Sequence, residues 1–330
     1  MPNITILNET ELRRLVPLDL AIIDEIEKGF SVMAEGSVVM PPILSMAIEE
    51  FNGEIDVKTA YVPGFASFAV KMSPGFFDNP KLGLPSTSGL MVLFAAQTGQ
   101  LEALLLDNGY LTDIRTAAAG AVAARHLSRK DAERVCVIGA GAQARLQLKA
   151  LCLVREIKQV DLWARDLNKA KARAAELSQE LGLAINVNQD RETAVRASDI
   201  VVTTTPSTTS LIEADWLQAG QHITAMGSDQ HHKRELAAAC LTRADCYVPD
   251  RQSQTALLGE LHHAINEGLV ANDTSFAELG AIISRKAQGR VTDQDITIAD
   301  LTGTGLQDTV IATLARQRAL EQDAGTSFRS

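Results

Sequence analysis

The sequence predicts an α/β chain in two parts: a doubly wound parallel sheet in its middle, and an α+β unit assembled from both ends. Three observations lead there. The apolar run Val135-Cys136-Val137-Ile138 opens into Gly139-Ala140-Gly141-Ala142-Gln143-Ala144 and then into a helical pattern. Beyond it, strand-like and helix-like segments alternate, the order that buries a parallel sheet between helices. Ahead of it, residues 40 to 108 carry short apolar runs broken by turn residues, the texture of an antiparallel or mixed sheet.

In chain order, Ile22, Ile23, Ile26, Phe30 and Met33 recur at helical spacing over 18–34, with Pro17 and Gly36 as suitable flanks. The runs Phe68–Met72, Leu90–Ala96 and Leu101–Leu106 lie between Pro63-Gly64, Pro74-Gly75, Asn79-Pro80, Pro85 and Gly99, and read as hairpin strands. Asp113 to His126 is an Ala-rich helix. Then come a strand over 135–138, a helix over 142–154, a strand over 159–164, a helix over 167–182 and a short strand over 185–187. A helix over 191–197 and strands over Ile200–Thr204 and His222–Met226 complete the alternation. After Thr302 the spacing of Val310, Ile311 and Leu314 predicts a helix that returns to the first unit. The expected domains are therefore 1–125 with 302–330, and 126–301.

Composition narrows the partners. The 330 residues hold 31 Lys and Arg against 41 Asp and Glu, a formal charge of −10, which argues against nucleic acid or an anionic membrane. A few cations inside a cleft can still receive an anionic small molecule. Cys136, Cys152, Cys240 and Cys246 show no CxxC spacing and read as reduced thiols. Met1-Pro2-Asn3-Ile4-Thr5 has neither the basic nor the apolar region of a signal peptide, and no run of about 18 apolar residues occurs. A cytoplasmic protein is expected. The pairs His231-His232 and His262-His263 do not share a helix face, so no metal site is expected.

The glycine loop points to a dinucleotide, NAD(H) or NADP(H). Gly139 permits the tight turn, Gly141 lets the backbone approach a pyrophosphate, and Ala144 lets helix and strand pack closely. Ala140, Ala142 and Gln143 complete a loop whose helix N-terminus offers free N–H groups to phosphate. The second strand ends in Ala164-Arg165-Asp166, with alanine where an acid usually meets the adenosine ribose. Arg165 can pair a 2′-phosphate, favouring NADP, or stay solvated while Asp166 reaches the ribose. Thr204, Thr205 and Pro206 close the fourth strand, where the chain passes the nicotinamide in such folds; threonines are equally ordinary at a strand end.

Three cations stand out in the first part: Lys58, Lys71 and Arg115. Lys71 lies in the apolar run Phe68-Ala69-Val70-Lys71-Met72, where an unpaired ammonium is costly. Salt bridges to nearby acids are one reading. A carboxylate clamp is the other, with Arg115 bidentate and Lys71 a point charge. Asp229 follows Met226-Gly227-Ser228 at the C-terminal end of an expected parallel strand, where ligands gather in such sheets. It can act as acid or base toward an amine or imine, or cap a helix beginning near His231.

These motifs resemble the ornithine cyclodeaminase/μ-crystallin family from about residue 12 to 317. The resemblance rests on Val70-Lys71, Gly83-Leu84-Pro85, Thr98-Gly99, Leu111-Thr112-x-x-Arg115-Thr116-Ala117-Ala118, the glycine loop, Met226-Gly227-Ser228-Asp229 and Thr304-Gly305-x-x-Asp308. It implies a homodimer formed by the substrate domain. It also implies that Lys71 and Arg115 hold the substrate carboxylate, that Thr87 and Gly305 line the same pocket, that Thr116 meets the cofactor with Met226, Gly227 and Ser228, and that Asp229 serves the reacting nitrogen. Two departures matter. The family often has an arginine after the proline near 42, but this chain reads Pro41-Pro42-Ile43-Leu44-Ser45. Cyclodeaminases of the family carry an acid followed by Met-Pro where this chain reads Ile55-Asp56-Val57-Lys58-Thr59.

The details resemble the branch of ectoine-utilisation cyclodeaminase-like proteins, and imine reductases acting on acids such as iminosuccinate. Lys58 beside Lys71 and Arg115 suits a dicarboxylate better than the cationic amine of ornithine. The reading from sequence is therefore NAD(P)H-dependent reduction of an α-imino acid to an L-amino acid such as aspartate. A cyclodeaminase that recycles its NAD, and a non-catalytic μ-crystallin-like binding protein, are the alternatives.

Overall fold

A computed structural model describes residues 3–329; Met1 and Pro2 of the N-terminal reading lie outside the described residues. The strands are β1 (Asn3–Asn8), β2 (Leu44–Ile48), β3 (Gly53–Ala60), β4 (Ser67–Phe76), β5 (Leu90–Ala95), β6 (Leu101–Leu106), β7 (Arg134–Ile138), β8 (Gln159–Trp163), β9 (Ile185–Val187), β10 (Ile200–Thr203), β11 (His222–Ala225), β12 (Cys246–Pro249), β13 (Thr297–Asp300) and β14 (Thr326–Arg329). They form two sheets in two compact units. One unit runs up to Arg115 and resumes at Thr304; the other is Thr116–Gly303.

The first unit's sheet has the order β14-β1-β6-β5-β4-β3-β2. Its pairs are antiparallel except β1 with β6. The helix Gly305–Glu321 packs on β3, β4 and β5 and against the helix Leu20–Met33. Its approach is close because Gly305 has no side chain. A Cβ there would stand 2.4 Å from the Thr59 carbonyl oxygen. One turn on, the Thr309 hydroxyl donates to Ala60 O at 2.9 Å and accepts from Ala69 N at 3.1 Å. This side chain gives both backbone groups a partner and ties the helix to the end of β3 and the start of β4.

The second unit's sheet has the order β12-β13-β11-β10-β7-β8-β9, with every pair parallel. The four described residues of β10, β11 and β13 are all buried, and so are Val135–Ile138 of β7, as expected of strands covered on both faces. Separate apolar clusters lie around Ile138, Val201 and Ile223 and around Val137, Leu148 and Leu162. This is the expected doubly wound parallel sheet of Rossmann type. Its order turns at β7: β8 and β9 lie on one side, β10, β11, β13 and β12 on the other. Ligands of open α/β sheets bind at such a switch point, beyond the strands' C-terminal ends.

The predicted helices fall at Leu20–Met33, Tyr110–Leu127, Ala142–Val154, Leu167–Leu181 and Arg191–Arg196. Sequence reading named no strand at β1, β2, β3, β12, β13 or β14 and missed the short helices Glu9–Leu15, Ala239–Arg243, Gln252–Leu258, Glu260–Asn266 and Leu279–Ile283. Four-residue strands such as Thr297-Ile298-Ala299-Asp300 are too short to display a period. Among the described residues no helix is long and apolar enough to cross a membrane.

Candidate functional site

In the first unit, three cations and one carboxylate gather under the helix Gly305–Glu321. Strands β3 and β4 set Lys58 directly opposite Lys71. Both are buried, as is Arg115. The helix brings Asp308, fully buried, between them: Oδ2 lies 3.1 Å from Lys71 Nζ and Oδ1 accepts from Arg115 Nε at 2.9 Å. Arg115 Nη1 donates to Gln307 Oε1 at 3.0 Å, and that oxygen also accepts from Thr304 N at 3.1 Å. The guanidinium is thus held by one side, while no hydrogen bond among the described residues reaches Nη2.

The electrostatics follow from burial and crowding. Burial pushes the Lys71 ammonium down to about 7; Asp308 pulls it up, and Arg115 and Lys58 push it down again. Burial would raise the Asp308 carboxyl, but the charges of Lys71, Arg115 and Lys58 win and hold it below the usual carboxylate range. Asp107, also buried, is raised by burial against the backbone N–H groups it accepts from and the attraction of Lys71. The salt-bridge reading holds for Lys71 and Arg115, which share the single acid Asp308, and the charge of Lys58 acts on both Lys71 and Asp308.

The other residues expected here fare differently. Gly305 is accounted for by its packing on Thr59. Thr87 is exposed, in an isolated bridge to Gly75.

In the second unit, Gly139 adopts φ +125°, and a Cβ there would lie 2.5 Å from Thr204 Oγ1. This glycine answers a left-handed backbone and a close approach together. Gly141 caps the helix Ala142–Val154 with nothing within 4 Å of its absent Cβ. The loop is exposed at Gly141 and Ala142, half-buried at Ala140 and Gln143, and buried at Ala144. An open cradle at a helix N-terminus, with a small residue packed behind it, fits a pyrophosphate. Arg173 Nε donates to Ala140 O at 3.2 Å, bringing a cation to this loop. Thr116 O accepts from Gln147 Nε2 at 2.9 Å, tying it to the same helix. Arg165 is exposed beyond β8, and Asp166 caps the next helix through Asn168 N and Lys169 N.

Beyond β10, Thr204 N and Oγ1 donate to Ile138 O at 2.9 and 3.2 Å, Thr205 is half-buried and Pro206 exposed. Met226 N donates to Thr203 O at 3.2 Å. Ser228 Oγ donates to Lys233 O, and Lys233 Nζ donates to Asp229 Oδ1, both at 2.7 Å. No helix begins at His231; the chain is irregular until Ala239, so the capping alternative for Asp229 is corrected. Sequence reasoning gave Asp308 no role and missed Lys233 and Glu235. Asp308 stands between Gln307 and Thr309, and Glu235 follows the charged pair Lys233-Arg234, so neither acid stands out from its neighbours as Lys71 does.

A two-unit protein with a Rossmann dinucleotide cradle and a buried cationic cluster is the class these features define. The ornithine cyclodeaminase/mu-crystallin family matches residues 4–323, and the chain belongs to that family. An uncharacterized cyclodeaminase of Sinorhizobium fredii is 58% identical over 331 residues, covering 100% of both chains. An archaeal alanine dehydrogenase dimer with bound NAD superposes with a TM-score of 0.92 and 32% identity over 99% of each chain. The iminosuccinate reductase of Paracoccus denitrificans, in complex with NAD+, gives 0.91 and 29% over 99% of this chain and 100% of that one.

Proposed function

We propose that this protein is an NAD(P)H-dependent reductase of small α-imino acids, and that its preferred substrate is a dicarboxylic imine such as iminosuccinate, giving L-aspartate. The carrying observation is that Lys71 and Arg115 share one buried carboxylate, with a third cation, Lys58, opposite Lys71. Arg115 Nη2 is left to a substrate carboxylate, and Lys71 adds a point charge. Lys58 receives the second carboxylate, a role that favours an acidic side chain over the ammonium of an ornithine-like diamine. Asp229, steadied by Lys233, holds or protonates the imine nitrogen, since an iminium accepts hydride better than an imine. A bound nicotinamide supplies the hydride. The clamp's contribution is orientation of the C=N carbon. The same reading makes the protein a homodimer in the cytoplasm, in line with the dimeric alanine dehydrogenase it resembles.

The test is NADH and NADPH oxidation with ammonia plus oxaloacetate, pyruvate or glyoxylate, and with pyrroline- and piperideine-2-carboxylate. Turnover strongest with oxaloacetate and ammonia supports the reading. Activity confined to the cyclic imines would remove Lys58 from substrate binding. A second reading, cyclodeamination, is favoured by the 58% identical relative. It predicts release of ammonia from a diamino acid with no net consumption of NADH.

A further inference from the structure

The second unit buries a carboxylate that neither the glycine loop nor Asp229 accounts for. Glu235 is fully buried in the irregular stretch after Asp229. Its Oε1 accepts from Thr205 N at 2.5 Å and Thr205 Oγ1 at 2.7 Å, and its Oε2 from Thr203 Oγ1 at 2.6 Å and Gly227 N at 2.7 Å. Two of these donors are main-chain groups in the segments that leave β10 and β11. The knot is tight: a Cβ on Gly227 would stand 2.1 Å from Thr205 O and 2.6 Å from Glu235 Cδ. Glu235 is itself fixed. Its N–H donates to Glu260 Oε1 at 2.8 Å, and its carbonyl accepts from Leu211 N and Ile212 N at 2.7 and 3.2 Å.

The placement gives this knot a use. β7 and β10 border the switch point of the sheet, and Gly139 and Thr204 meet across it. The glycine loop forms the β7 side, where phosphates bind. The segment after β10 forms the other side, where a dinucleotide in such a fold carries its nicotinamide end. Four donors converge on one acceptor-only group, so the segments after β10 and β11 move together or not at all.

We infer that Glu235 is a positioning residue for the nicotinamide half of the cofactor, bracing Thr205 and Gly227 as one rigid wall. This rests on the dinucleotide reading but not on any choice of imine. In Glu235→Gln, one carboxylate oxygen becomes an NH2 group that faces donors instead of accepting from them. The wall loosens while the glycine loop is untouched.

The experiment compares two ligands of the purified full chain: NADH, followed by its fluorescence, and ADP-ribose, which lacks the nicotinamide, followed by calorimetry. In Glu235→Gln, NADH affinity should fall about tenfold while ADP-ribose affinity stays within about twofold. Thermal unfolding, recorded in parallel, confirms that both titrations are run on folded protein. If Glu235→Gln does not fold, Thr203→Val removes one buried donor at constant shape and should weaken NADH alone by about threefold. Equal losses for both ligands, or no loss for either, overturn the inference. Failure of the unaltered protein to bind NADH at all would overturn the dinucleotide reading itself.

Discussion

Each unit buries acids near its candidate site, and the two units neutralise them in opposite ways. Asp308 in the first unit is met by the charges of Lys71 and Arg115, and its carboxyl is held low. In the second unit Glu235 is met by hydroxyl and backbone N–H groups; burial outweighs these, and the carboxyl is raised. Glu260 beside it rises well above the ordinary range, through burial and then the charges of Asp300 and Glu235. Asp300, buried, rises to about 7 although Tyr247 OH donates to it at 2.6 Å. The difference separates two uses of a buried acid. The acid among cations is the one the proposed clamp is built on, whereas the neutral donors around Glu235 tie two backbone segments together.

Arg115→Ala breaks the comparison most severely. It leaves Asp308 buried without one of the cations that compensate it, a loss on the order of 3–5 kcal/mol. Turnover should fall by roughly 10²-fold or more in kcat/KM, with NADH binding unchanged. Steady-state rates and a cofactor titration check this, and an unaltered kcat/KM would remove Arg115 from the clamp.

The two clusters should also respond to pH with opposite signs. Asp300 has a folded pKa near 7 against an ordinary 3.8, so the stability it contributes is full below about 4 and is lost as pH rises toward 7. Asp308, held low, contributes stability above its ordinary range that is lost as the solution is acidified. Urea unfolding between pH 4 and 8 should show Asp300→Asn losing the decline toward neutral pH. An unchanged slope would mean that Asp300 does not carry it.

Lys71, with a folded pKa of about 7, sharpens the functional side. As pH rises through 7 the ammonium loses its proton, so kcat/KM for an anionic imine should fall up to about tenfold per pH unit. Lys71→Met should be slower throughout and lack this limb; a limb that survives the substitution belongs to another group. The smallest effect is expected at exposed Arg165. If it meets a 2′-phosphate, Arg165→Ala lowers the preference for NADPH over NADH by a factor of about ten or less. Equal changes with both cofactors would assign it no part in the choice.

What could be read from sequence follows the range of the interactions. The glycine loop is a local device, with strand, turn and helix contiguous, and Gly139 and Gly141 sit as the motif requires. Lys71 was visible as a cation in an apolar run. Its partner Asp308 was not, because the two lie 237 positions apart and only the fold of both chain ends unites them. Glu235 was hidden for the same reason, since its donors come from two other chain segments.

The most direct test of the central claim is the ratio of kcat/KM for oxaloacetate with ammonia to that for pyruvate with ammonia, measured with NADH in the unaltered protein and in Lys58→Met. The account predicts a ratio well above one that collapses by about tenfold or more in the variant, mainly through the oxaloacetate KM. A ratio near or below one in the unaltered protein, or one that Lys58→Met leaves unchanged, would contradict it.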